Sequence, residues 1–277
     1  MSLPSVRIWR PLADMNVELL KADFTDEYFP PHIHDYYVIG LTTSGAGDMR
    51  CDARPYVTPR DSVLLMEPGT VHSNRPVPGS AWRMRTISLS TDLFRSLVGA
   101  DAVDENEVAT FINHVIEDAV LWSDFDCIFK QMENGRPAFD AMSVVLRQLA
   151  AKGVLCAMKP DQPSRIQKAK SHIDRNMTCA LSLDAIAREA NLSLHHMSRV
   201  FKSTYGISPM RYLKEARLSN AKNELHSGRR ISDIAAKYGF SDESHFCRSF
   251  AAKFGITPGA YSREIRRSPA EIATQTL

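Results

Sequence analysis

A duplicated pattern near the end of the chain restricts its fold more than any other feature. Leu183, Ile186, Ala187 and Ala190 follow i, i+3, i+4, i+7 spacing, and Ile231, Ile234, Ala235 and Tyr238 repeat it 48 residues later. Asn191-Leu192-Ser193 is answered by Gly239-Phe240-Ser241 at the same offset. The offset then becomes 49, pairing Arg199 with Arg248, Phe201 with Phe250, Gly206 with Gly255, Pro209 with Pro258 and Tyr212 with Tyr261. The extra residue falls between Ser241 and Phe246.

Each part of the repeat has a physical role. The spacing predicts a first helix with a buried apolar stripe, where Ala187 or Ala235 lets the next helix cross closely. Asn191 and Gly239 suit the left-handed end of that helix, and Ser193 and Ser241 are predicted N-caps of the second. In the first unit the second helix is expected to bury Met197, Val200, Phe201 and Thr204 and to turn His195, Ser198, Arg199 and Lys202 outward. Gly206 and Gly255 stop the second helices. Ser208-Pro209 and Thr257-Pro258 each read as an N-cap followed by proline at the first helical position. A helix from Pro209 to about His226 then joins the units. A helix, a short turn and a second helix is the arrangement that lays its second helix in the DNA major groove. The alternative is a plain helical bundle with repeated caps.

The small-residue turn and the outward arginines favour the first reading, and the charge balance agrees with them. Residues 1–164 hold 15 Lys and Arg against 22 Asp and Glu, a net charge of −7, whereas residues 165–277 hold 19 against 10, a net charge of +9. The change falls at Lys159-Pro160-Asp161-Gln162-Pro163-Ser164, which reads as an interdomain linker. A basic half joined to an acidic one points to a polyanionic partner for the basic half. The five cysteines, Cys51, Cys127, Cys156, Cys179 and Cys247, are scattered and never form a C-x-x-C pair. This argues against a disulfide framework or a cysteine-based zinc site. No run of eighteen apolar residues and no apolar run of signal-peptide length near the start is present, so a cytoplasmic protein with no membrane partner is expected.

The segments RVFKSTYGISPMRYL, RLSNAK and GFSDESHFCRSF, within about a hundred residues of likeness, resemble the AraC-type transcription regulators. The resemblance implies a seven-helix domain that inserts two recognition helices into successive major grooves of promoter DNA. It places DNA contacts on His195, Ser198, Arg199 and Lys202, and in the second unit on Glu243, Ser244, Cys247 and Arg248. Arginine suits either a bidentate guanine contact or a phosphate contact. His245 is expected to pack. Ala251 stands where the first unit has Lys202 and the family often has lysine, which weakens a backbone contact there.

Residues 16–90 read as short strands, among them Val17–Lys21, Tyr36–Thr43, Ser62–Met66 and Arg83–Leu89, with turns at Ser44-Gly45, Thr58-Pro59 and Glu67-Pro68-Gly69. FPPHIHDYYVIGLTTSG and TPRDSVLLMEPGTVHSN resemble the two cupin motifs that precede the DNA-binding domain in many AraC-type regulators. The expected fold is therefore an N-terminal cupin-like β-barrel with helices and a C-terminal all-α double helix-turn-helix. Its domains are residues 1–158 and 164–267. Metal-binding cupins use H-x-H, a nearby Glu and a later His. His32, His34 and His72 are present, but Val38 and Ile39 occupy the places where the Glu would stand. No metal or cofactor is therefore expected, and His32, His34, Tyr36 and His72 are read as the polar lining of a pocket for a small organic effector. That these residues merely pack the barrel mouth is an equal alternative for any one of them.

Residues 91–156 read as helical, with apolar faces formed by Phe111, Val115, Ala119 and Leu121, and by Ala141, Val144, Val145 and Leu149. By resemblance this region carries a homodimer contact, the protein activates transcription, and RNA polymerase is a partner. The rival readings are a metal-dependent cupin enzyme fused to a DNA-binding domain, against which the missing Glu counts, and an architectural DNA-binding protein with no sensor.

Overall fold

The computed structural model describes residues 5–11, 17–99, 109–157, 164–225, 227–254 and 256–264. The chain divides into two units, Met1–Lys159 and Pro160–Leu277. Most of the expected linker lies outside the described residues, as do His226 and Gly255.

The first unit is built on antiparallel strands: β1 (Ser5–Trp9), β2 (Val17–Phe24), β3 (Phe29–His32), β4 (Tyr37–Cys51), β5 (Arg54–Pro59), β6 (Val63–Met66), β7 (His72–Pro76) and β8 (Trp82–Leu89). Helix α1 (Thr91–Val98), strands β9 (Ala109–Phe111) and β10 (Val115–Ile116), helices α2 (Ala119–Glu133) and α3 (Phe139–Ala151) and strand β11 (Leu155–Ala157) complete it. One path of pairing runs β1-β2-β8-β4-β6-β10; β4 also pairs with β5 and β7, and β7 with β3. The turn expected at Ser44-Gly45 is a bend inside the long β4. The register against β8 shifts between Thr42 and Ser44, and the strand then continues to Cys51. Gly45 has φ +68°, and a Cβ there would lie 1.6 Å from the Ala81 carbonyl oxygen, so only glycine permits the bend.

Alternation along β4 and β6 divides the apolar side chains between two cores. Tyr37, Ile39, Leu41, Val63 and Leu65 pack with Phe94, Phe125, Phe129, Met142 and Leu146 of the helices. Val38, Leu64 and Met66 pack with Phe24, Met49, Trp82 and Met84. Strands covered on both faces read as continuous apolar runs, as VLLM at 63–66 does.

Residues 91–156 are not wholly helical. Phe111 and Val115, expected on a helix face, lie in β9 and β10, which pair with β11 and β6. On α3 the buried face is Met142, Val145, Leu146 and Leu149, while Val144 is 56% exposed. Val145 and Leu149 lie on the expected face, whereas Ala141 and Val144 point outward and Met142 and Leu146 take their places.

The second unit contains α4 (Arg165–Arg175), α5 (Leu183–Glu189), α6 (Leu194–Tyr205), α7 (Pro209–Glu224), α8 (Ile231–Lys237), α9 (Glu243–Phe254) and α10 (Pro258–Glu264). These are seven helices among the described residues, as the resemblance implies. Asn191 and Gly239 adopt positive φ, 51° and 68°, and Gly206 ends α6 at φ 80°. The Ser193 hydroxyl accepts from His196 N, and the Ser208 hydroxyl from Arg211 N ahead of Pro209. In the second unit of the repeat the cap is displaced: the Asp242 carboxylate, not Ser241, accepts from His245 N at 2.6 Å. The extra residue shifts the helix start by one, and Ser241 instead donates to Asp242 at 2.9 Å. On α6 the buried stripe is Met197, Phe201 and Tyr205; Val200 and Thr204 are only half-buried.

Candidate functional site

The repeat builds two exposed helix faces. On α6, His195, Arg199 and Lys202 are exposed and Ser198 half-buried, at spacings that keep all four on one side. The opposite side buries Met197 and Phe201, which fix the helix to its neighbours. On α9, Glu243, Ser244 and Arg248 are exposed and Cys247 half-buried, with Phe246 and Phe250 inward. Burial and the nearby Glu243 push the Cys247 thiol up, which favours a plain thiol over a reactive thiolate. His245 packs edge-on against Phe240, centroids 5.3 Å apart, and its Nδ1 lies 3.2 Å from the Ser241 hydroxyl. It serves the fold, as the sequence reading expected.

Three contacts that no local sequence pattern announces tie these helices to their neighbours. Arg217 on α7 donates to the carbonyls of Met177 at 2.7 Å and Cys179 at 2.8 Å, and reaches that of Gly239 at 3.5 Å in the second turn. Lys253 on α9 pairs with Glu215 of α7 at 3.0 Å and donates to the Ser219 hydroxyl at 2.9 Å. Tyr212 on α7 donates to Asp174 of α4 at 2.8 Å. The one sequence signal for Lys253 is a lysine standing 49 residues after Thr204, on an inward-facing stripe.

In the first unit, β3 and β7 bring the histidines together. His32 faces His72 directly across the strand pair, and the His34 carbonyl accepts from Gly69 N at 2.8 Å. Ring centroids are 4.2 Å apart for His32 and His72, 5.0 Å for His32 and His34, and 4.9 Å for His34 and His72. Tyr36 stacks on His34 at 4.7 Å. His72 is buried; the other three are half-buried. All four residues assigned to a pocket lining therefore lie together. Two surface clefts, of about 530 and 280 Å³, lie elsewhere, lined by residues such as Arg7 and Lys21 in one and Ser123 and Lys130 in the other. Three imidazoles at contact distance are the stronger chemical signal. Cys51, opposite His72 on β4, has its thiol pushed up to about 12, chiefly by burial and then by Asp52 and Glu67, and stays protonated at neutral pH.

Residues 186–264 match a helix-turn-helix domain and residues 14–150 an AraC-like ligand binding domain, the two together spanning most of the chain. The chain belongs to the AraC-type transcription regulators. This AraC-type regulator is 24% identical over 237 residues to the uncharacterized HTH-type transcriptional regulator YbfI of Bacillus subtilis (strain 168), covering 83% of this chain and 86% of that one. It is 26% identical over 228 residues to the HTH-type transcriptional activator RhaS of Escherichia coli (strain K12 / DH10B), covering 79% and 82%. Among solved structures, ToxT of Vibrio cholerae superposes with a TM-score of 0.55 at 13% identity, over 91% of this chain and 99% of that one. ToxT bound to an unsaturated fatty acid gives 0.53 at 13% identity, over 95% of each chain. At that identity the likeness to ToxT carries the two-domain fold alone. The AraC-type regulator thus pairs a cupin-like ligand-binding domain with a DNA-binding helical one, and the comparisons favour this over a cupin enzyme. No helix among the described residues is long and apolar enough to cross a membrane.

Proposed function

We propose that this AraC-type regulator is an activator that binds promoter DNA through the outward faces of α6 and α9 and responds to an effector held by His32, His34, Tyr36 and His72. The observation that carries the reading is the exposed His195, Arg199 and Lys202 face of α6, repeated on α9 around Arg248. Cationic side chains on a helix anchored by its opposite face are what major-groove docking requires. That RhaS is named a transcriptional activator supports the direction. The sensor is assigned to residues 1–158 and the DNA-binding domain to 164–267. The protein acts in the cytoplasm as a homodimer through residues 91–156 and engages RNA polymerase.

Genome-wide mapping of bound sites tests this reading. A few strong sites upstream of genes whose transcription falls when the regulator is deleted are expected. Broad, sequence-indifferent coverage would instead favour an architectural protein.

A further inference from the structure

The histidine cluster has features that a lining for an organic molecule does not require. One ring nitrogen from each of His32, His34 and His72 lies within 4.8 Å of the others, and among the described residues no carboxylate or thiol joins this group. Two of the rings are held from behind. Nδ1 of His32 lies 2.8 Å from the Pro30 carbonyl oxygen, and Nδ1 of His72 lies 3.1 Å from that of Thr70. A carbonyl oxygen can only accept, so each Nδ1 carries the proton. In a neutral imidazole this leaves the basic lone pair on Nε2. A backbone carbonyl behind a ring is the outer contact that fixes tautomer and orientation in metal-ligating histidines. The three rings also sit on a frame of strand pairing: His32 and His72 are register partners, and the His34 backbone is tied to Gly69.

We propose that His32, His34 and His72 form a site for one divalent first-row transition-metal ion, with His32 and His72 ligating through Nε2. This rests on the reading of the cluster as the effector site and names the effector's class. Imidazoles suit zinc, copper, nickel and iron, while magnesium and calcium require oxygen donors. Three neutral ligands leave the full charge of the ion uncompensated and a coordination position open for water or an anion. The carboxylate missing at Val38 therefore changes the charge of the site, and three donors still remain.

The experiment uses the full chain, stripped with chelator and titrated with Co²⁺ followed by visible absorption, and with Zn²⁺ followed by calorimetry. One equivalent should bind, with ligand-field bands and a rise in the unfolding temperature that saturates with the ion. Mg²⁺ should give neither. His72→Ala should lose binding. Because His72 is buried, half-buried His32→Gln is the second variant: it should weaken Co²⁺ affinity by at least the roughly 10–100-fold that losing an outer contact costs, with the metal-free unfolding temperature unchanged. No binding by the folded wild type, or binding unaffected in His32→Gln, overturns the proposal. Promoter binding and induction are measured on the same samples. Retained promoter binding with no metal uptake sinks the metal site and leaves the regulator standing. Metal uptake that leaves promoter binding and induction unchanged overturns the ion as effector, and with it the effector reading of the cluster.

Discussion

Lys253 on α9 and Glu215 on α7 form an ion pair inside the second unit, Nζ to Oε2 at 3.0 Å, with side chains only 6% and 14% exposed. Lys253 also donates to the Glu215 carbonyl at 3.1 Å and to the Ser219 hydroxyl at 2.9 Å. The pair fixes α9 to α7, the helix that joins the two halves of the repeat. Removing one partner leaves a buried charge uncompensated, which costs more than the pair itself contributes.

Lys253→Ala is therefore expected to destabilise the second unit by about 3–5 kcal/mol, measured by urea unfolding of residues 164–267. The double variant Lys253→Met/Glu215→Leu should recover most of that loss. A single variant as stable as wild type would mean that the pair does not hold α9.

Acid should release the start of α9. Hydrogen bonding from the His245 backbone, then from Ser241, holds the Asp242 carboxyl below its ordinary value of 3.8. A lowered folded-state value means the stabilisation is fully present above the unfolded value and is lost as pH falls through the folded one. The cap should thus weaken only below about pH 4. Asp242→Asn, which can cap without charge, should flatten this part of the stability–pH profile. A profile identical to wild type would remove Asp242 from the cap.

The sensor unit leaves Val120 on α2 71% exposed and Val144 on α3 56% exposed. If this region carries the dimer contact, full-length protein should sediment as a dimer and residues 164–267 as a monomer. Val120→Asp with Val144→Asp should yield a monomer at micromolar concentration while leaving the fold intact. A dimer undisturbed by both changes places the contact elsewhere.

The sequence was most readable where a local pattern was repeated. The repeat located α5, α6, α8 and α9, because each copy independently states the same burial and capping rules. It misplaced the second N-cap because Ser241 and Asp242 both cap well, and only the backbone path through the extra residue chooses between them. Ser44-Gly45 resembled a turn because a bend and a turn both need glycine at positive φ. That β4 continues past it depends on partners β5 and β7. Phe111 and Val115 followed a helical period although they belong to short strands, since apolar runs this short fit either period. The histidines were individually visible, but their mutual contact depends on the β3–β7 register. Lys253 and Glu215, 38 residues apart, carried no pairing signal.

The most direct test of two-unit DNA reading is a footprint of one monomer on its promoter site, with Arg199→Ala and Arg248→Ala beside wild type. Helix α7 has 16 residues, about 24 Å at 1.5 Å per residue, which suits holding α6 and α9 about one turn of DNA apart. Wild type should protect two major-groove segments on one face, about ten base pairs apart. Each arginine variant should relax sequence preference in one segment only, at a cost of about 1–3 kcal/mol. A single protected segment per monomer, or an Arg248→Ala protein indistinguishable from wild type on every site, would contradict the account and make the second unit a support for the first.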